Sequence, residues 1–156
     1  MSKIKYQVTE NKKNNAEKWF SKLRDKICNE FEEIENSDSN RNSFKIMNWK
    51  RDGGGGGKMS IMKGNIFEKV GVNISTVHGE FSENFRSNIP GAEDDGKFWA
   101  SGISVVSHPR NPFVPAAHMH TRLISTSKIW FGGGGDITPM KPSHAMSREF
   151  HNDLKI

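Results

Sequence analysis

From residue 43 to residue 139 strand-like runs follow one another with no helical run between them. FKIMNW opens the series at 44–49, and SIMKGNIFEKVGVNISTVHGEF at 60–81 holds two or three such runs. FWASGISVV at 98–106 and HMHTRLISTSKIWF at 118–131 continue it, the last broken near 125-STS-127. Consecutive strands joined by short connections pair antiparallel, because a parallel partner needs a crossover of a dozen or more residues. A helix precedes the series. In residues 15–35, Trp19, Phe20, Leu23, Ile27, Phe31 and Ile34 recur at spacings of three and four, the period of an amphipathic helix, which stops near 36-NSDSN-40. A second helical stretch begins at 143–156, with Ser143 as its N-cap. Residues 84–97 read as a polar loop, GGGGDITP at 132–139 as a turn, and residues 1–14 as a flexible polar arm. The order predicts an α+β fold built on a large antiparallel sheet.

The chain has 156 residues, the length of one domain, and only 33% of them are hydrophobic. Ten Phe and four Trp partly offset that thin supply, because each aromatic side chain buries a large area. The single cysteine, Cys28, excludes an internal disulfide and fits a reducing compartment. The N-terminus has no apolar core of a signal peptide, and no run approaches the roughly 18 apolar residues of a membrane span. A cytoplasmic setting is expected, and the sequon at Asn73-Ile74-Ser75 carries no meaning there. Residues 1–51 hold 12 Lys and Arg against 8 Asp and Glu, and residues 52–156 hold 11 against 10. This basic N-terminal third reads as a solvated face; it lacks the aromatic and basic interleaving of a nucleic-acid surface.

Two glycine runs stand inside the strand-like sequence, 53-GGGGG-57 and 132-GGGG-135. The first is no phosphate-binding P-loop: Asp52 stands where the first glycine should be, Met59 replaces the Ser or Thr after the lysine, and strand rather than helix follows. Flexible linkers are Ser-rich, whereas these runs are flanked by Arg51, Trp130 and Phe131. Close approach of a flat ligand, or of another strand, explains them better, since glycine alone has no Cβ to obstruct it.

The segment SHPRNPFVPAAHMHTR at 107–122 concentrates titratable groups. His118, His120 and Arg122 lie two apart, so on a strand they share one face. An H-x-H pair can offer two imidazoles to one metal ion, with His108 and His151 as further donors. The carboxylate that a cupin places shortly after that pair is missing, because Leu123, Ile124 and Ser125 stand there. Arg122 offers a planar fork suited to a carboxylate. Asp136, after the second glycine run, fits either a turn residue or an acceptor for heterocyclic N–H groups.

Taken together, RDGGGGG at 51–57, FEKVGVNISTVHGEF at 67–81, ASGISVVSHPRNPFVPAAHMHTR at 100–122 and WFGGGGDITP at 130–139 resemble the oxygen-dependent coproporphyrinogen III oxidases. The resemblance covers roughly residues 15–156. It implies a large antiparallel sheet flanked by helices, in a homodimer. The implied reaction is oxidative decarboxylation of two propionates of coproporphyrinogen III, giving protoporphyrinogen IX in haem biosynthesis. Molecular oxygen is consumed and no organic cofactor is used, while some bacterial members are described with a divalent metal such as manganese.

By the same resemblance His118 falls on the proton-donor histidine, and His108, His118 and His151 fall on metal ligands. Ser104, His120, Thr121 and Arg122 fall on substrate contacts, and Asp136 on the aspartate that holds the pyrrole N–H groups. The chain departs from the pattern at His120, where the family prefers Asn, and at Ala116, where it prefers Thr. The link between Arg122 and Trp130 is short and lacks the usual acidic residue. Members of the family continue well past the equivalent of residue 156, so the chain is expected to be the N-terminal portion of one oxidase domain, with its sheet incomplete. Two alternatives are one half of a split enzyme and a non-catalytic remnant that binds tetrapyrrole or metal.

Overall fold

The computed structural model describes residues 9–37, 41–93, 95–141 and 143–155. Helix α1 spans Glu10–Glu35 and starts before the apolar period does. The Thr9 hydroxyl caps it by accepting from the Lys12 N–H at 3.4 Å, and the polar residues from 10 to 14 extend the helix by a turn and more. Those residues belong to the stretch expected to be a flexible arm; its first eight residues lie outside the described ones. Six strands follow: β1 Lys45–Lys50, β2 Gly55–Met62, β3 Phe67–Glu80, β4 Lys97–Pro109, β5 Ala116–Ser125 and β6 Ile129–Thr138. They form one antiparallel sheet in the order β1-β2-β3-β4-β5-β6, each paired with its neighbours in sequence. The short helix α2, Glu83–Arg86, sits in the polar loop between β3 and β4, and α3, His144–Asp153, ends the described chain. Ser143 caps α3, its hydroxyl accepting from the Met146 N–H. The α+β class and the antiparallel sheet are as expected.

Two boundaries differ. The run 118–131 is not one interrupted strand but two strands of a hairpin, closed where the Thr126 N–H donates to the Lys128 carbonyl at 2.8 Å. This tight turn is how the short link between Arg122 and Trp130 is made. The run GGGGDIT is not a turn but most of β6, paired with β5 from Ile129 to Thr138.

Helix α1 lies across β3 and β4 on one face of the sheet. Phe20 and Cys28 from the helix meet Met62, Phe67, Val70, Val72, Ile103 and Val105 from the strands, with Leu23, Ile27 and Phe31 packed around them. Phe31 and Phe67 meet edge to face, 5.2 Å between ring centres. Full burial of such side chains stabilises by roughly 1.5–3 kcal/mol each, so this cluster is where a chain poor in apolar residues concentrates its core. Burial pushes the Cys28 thiol up to about 11, which leaves it a small apolar filler.

One buried charge fastens the helix to the sheet. Glu35, fully buried at the C-terminal end of α1, accepts from the backbone N–H groups of Asn65, Ile66 and Phe67 at 2.6, 3.1 and 3.0 Å. The Asn42 side-chain amide donates as well, at 3.1 Å. The three backbone donors belong to the end of the connection between β2 and β3 and the first residue of β3, and Asn42 precedes β1. Arg110 holds the same connection from the other side, its Nε donating to the Gly64 carbonyl at 2.7 Å. Gly64 has to be glycine, since a Cβ would lie 2.1 Å from the Glu35 carboxyl carbon. Burial alone would raise the Glu35 pKa; the backbone bonds from Phe67, Asn65 and Ile66, with that from Asn42, outweigh it and hold the group below its ordinary 4.5.

A carboxyl held low contributes stability that is complete above its unfolded pKa and is lost as pH falls through the folded one. Unfolding by urea should therefore become easier as pH drops through and below 4.5. Glu35→Gln should reduce that acid-side slope and cost on the order of 2–4 kcal/mol at neutral pH. An unchanged midpoint at pH 7 would refute the clamp.

Candidate active site

Strand register sorts the side chains onto two faces. The face away from α1 carries rows of residues that lie directly opposite one another across the strands. One row runs Trp49, Gly57, Ser75, Gly102, Arg122, Gly132. The next runs Met47, Met59, Asn73, Ser104, His120, Gly134, and a third ends Val106, His118, Asp136. His118, His120 and Arg122 do share a face, and the glycine runs flank it on β2 and on β6. A cavity of about 380 Å³ opens here, with Trp49, Asn73, Ser104, His120, Thr121 and Arg122 among its lining residues.

Because β6 includes the glycine run, Asp136 lies directly opposite His118. Its carboxylate pairs with His118 Nδ1 at 2.9 Å, and the Thr138 hydroxyl donates to the same oxygen at 3.1 Å. The bond from His118 is the main cause that holds the Asp136 carboxyl below its ordinary 3.8. An ionised Asp136 only accepts, so the proton at this contact sits on His118 Nδ1. On the far side, His118 Nε2 lies 3.1 Å from His108 Nε2, the two rings perpendicular. With His118 neutral, Nε2 is an acceptor and His108 must donate. With His118 protonated, the direction of that bond reverses. The chain His108–His118–Asp136 can thus take up or release a proton without moving a heavy atom.

The Arg122 side chain makes no hydrogen bond or ion pair among the described residues. Its guanidinium is a free cation at the edge of the cavity. Ser104 and His120 are opposite each other and exposed on this face, whereas Thr121, opposite the core residue Ile103, alternates to the α1 face although it borders the cavity. His151 sits apart, exposed on α3. Among the described residues no three His, Cys, Asp or Glu side chains are grouped to hold a metal ion. His118 has the carboxylate partner typical of a metal-binding histidine, and His108 is its neighbour. Two imidazoles are short of the three or more protein ligands usual for a bound metal, so the residues present do not complete that site.

The glycines divide into two kinds. At Gly57 a Cβ would lie 2.2 Å from the Ile74 carbonyl oxygen, and at Gly133 one would lie 2.4 Å from the His120 carbonyl oxygen. There the neighbouring strand itself excludes a side chain. At Gly132 and Gly134 the nearest atoms to a Cβ are 3.8 Å away, ordinary contact distance. Nothing among the described residues requires glycine at those two positions, and both lie on the open face beside Arg122 and His120.

Residues that the spacing of motifs did not single out also reach the cavity, namely Trp49, Asn73 and Ser75. The signal for them is register: Trp49 lies eight residues before Gly57 in sequence but opposite it in the sheet.

A histidine–carboxylate chain and a free guanidinium on one open sheet face make an acid–base site suited to a ligand that carries carboxylates. The family model for coproporphyrinogen III oxidase matches residues 15–156, and the chain belongs to this family. An oxygen-dependent coproporphyrinogen-III oxidase of Rickettsia bellii is 55% identical over 152 residues, covering 93% of this chain and 54% of that protein. Those of Rickettsia felis and Rickettsia prowazekii are 56% and 55% identical, covering 90% and 94% of this chain and 52% and 54% of theirs. The chain spans about half the length of the curated relatives it matches. No helix among the described residues is long and apolar enough to cross a membrane.

Alanine at Gly57 or Gly133 should destabilise the fold by 2 kcal/mol or more, on the order of an overpacked core position. Alanine at Gly132 or Gly134 should leave stability unchanged or raise it by about 0.4–1 kcal/mol. Thermal unfolding of the four variants checks this, and a uniform loss across all four would contradict the division.

Proposed function

We propose that the open face of the sheet is one wall of a coproporphyrinogen III oxidase site, at which two propionates are converted to vinyl groups. The observation that carries this reading is the His108–His118–Asp136 chain beside the unpaired Arg122, on a face kept free of side chains at Gly132 and Gly134. The substrate has four propionates, and Arg122 would take one in a bidentate pair. Asp136 uses one carboxylate oxygen for His118 and Thr138; its other oxygen, without a partner among the described residues, would accept from pyrrole N–H groups. Ser104 and His120 would line the remainder.

Each propionate that becomes a vinyl group loses carbon dioxide, one proton and two electrons. Two such steps deliver four electrons, which reduce molecular oxygen to two waters and consume four protons. Two of those come from the substrate, and two must be drawn in. A histidine pair in line with Asp136, which fixes the proton on His118 Nδ1, is suited to that traffic. We place the reaction in a reducing cytoplasm, which suits the buried thiol of Cys28, and take the working form to be a homodimer as the resemblance implies.

The half-length match favours a second reading, in which this chain binds the tetrapyrrole but needs the remainder of the family's length for turnover, whether as part of a split enzyme or as a non-catalytic remnant. Oxygen uptake with coproporphyrinogen III separates them. The chain mixed with the C-terminal portion of the Rickettsia bellii relative should consume oxygen and form protoporphyrinogen IX. Binding without turnover in either preparation would leave the binder, and no binding would overturn both. In the active preparation Arg122→Ala should raise KM by about 10- to 100-fold, the scale of one lost charge-assisted bond. An unchanged KM would remove Arg122 from the site.

A further inference from the structure

Resting on the functional reading above, we infer that Trp49 is a positioning residue for the tetrapyrrole: its indole forms one wall of a trough whose opposite wall is Arg122, and it stacks on a pyrrole ring while Arg122 holds a propionate.

Both residues line the same cavity and belong to one row of the sheet. Between them the row contains only Gly57, Ser75 and Gly102. From β1 to β5 there are four strand spacings, about 19 Å along the sheet. Three small residues therefore form the floor of a long, shallow trough with a flat ring at one end and a cation at the other. The floor glycines are fitted to the walls. A Cβ at Gly57 would lie 3.0 Å from Trp49 Cε2, and one at Gly102 would lie 2.7 Å from the Arg122 Cβ. Trp49 is 40% exposed although it rests over Gly57, so much of its surface is open to a ligand.

The chemistry of the substrate suits this shape. In a porphyrinogen the four pyrroles are joined by saturated carbons, so each ring presents its own π face and the macrocycle bends between them. Stacking one ring on the indole and pairing one propionate with the guanidinium would fix the substrate at two separated points, and that sets which propionate reaches His118. Aromatic stacking of this kind is worth up to about tenfold in affinity.

The test uses coproporphyrin III, the fluorescent oxidised form of the substrate, titrated into the unmodified chain and into Trp49→Ala and Trp49→Phe, with thermal unfolding of each. Trp49→Ala should bind about tenfold more weakly at an unchanged unfolding temperature, while Trp49→Phe should stay within about threefold of the original. Quenching of tryptophan emission on binding should fall in both variants. Equal affinity of the original chain and Trp49→Ala would overturn the inference and leave the functional reading intact. Absence of binding by the unmodified chain would overturn that reading and the inference with it. Were Trp49→Ala to unfold, the quenching arm with Trp49→Phe decides: quenching as deep as in the unmodified chain overturns the inference.

Discussion

The carboxylate of Glu35 is the fixed point of this structure. It is buried and is kept ionised by main-chain donors from the β2–β3 connection and the start of β3, and by an amide from Asn42. An ion in that position is tolerated only when its hydrogen-bonding capacity is met. Meeting it ties the end of α1 to the turn that sets the register of β3 against β2. Arg110 grips the same turn from the end of β4, two residues beyond His108. The helix therefore covers β3 and β4 in one alignment, and the opposite face of the sheet is left without a helix from this part of the chain over its central rows.

What the open face can do follows from register. One row sets Trp49 against Arg122 across a floor of small residues; another sets His118 against Asp136. In an antiparallel sheet a slip of one residue would send every one of these side chains to the α1 side. The glycines divide along the same line. Those at Gly57 and Gly133 are demanded by the neighbouring backbone, whereas Gly132 and Gly134 leave the face beside Arg122 and His120 clear.

Much of the fold was legible from pattern. The helical period of Phe20, Leu23, Ile27 and Phe31, and the order of the strands, lead to the α+β sheet without further information. The start of α1 was not legible, because residues 10–14 carry no apolar period and form helix through local preference and the Thr9 cap. The second glycine run was misread as a turn for a similar reason. Glycine weakens a strand by its own propensity, and β6 exists because β5 offers it a full ladder of hydrogen bonds. For the site, period two along β5 placed His118, His120 and Arg122 on one face. Neither the pairing of Asp136 with His118 nor the place of Trp49 could be read the same way, since both depend on cross-strand register. His151 was grouped with His108 and His118 by resemblance, and the described structure does not gather the three.

Whether the face opposite α1 receives the tetrapyrrole, as proposed, is decided by a crystal structure of the chain with coproporphyrin III bound. Density for the macrocycle is expected over the strands β2 to β6, with one propionate on Arg122 and a ring against Trp49. A macrocycle seated on the α1 side of the sheet, or a propionate held by cations away from Arg122, would contradict it.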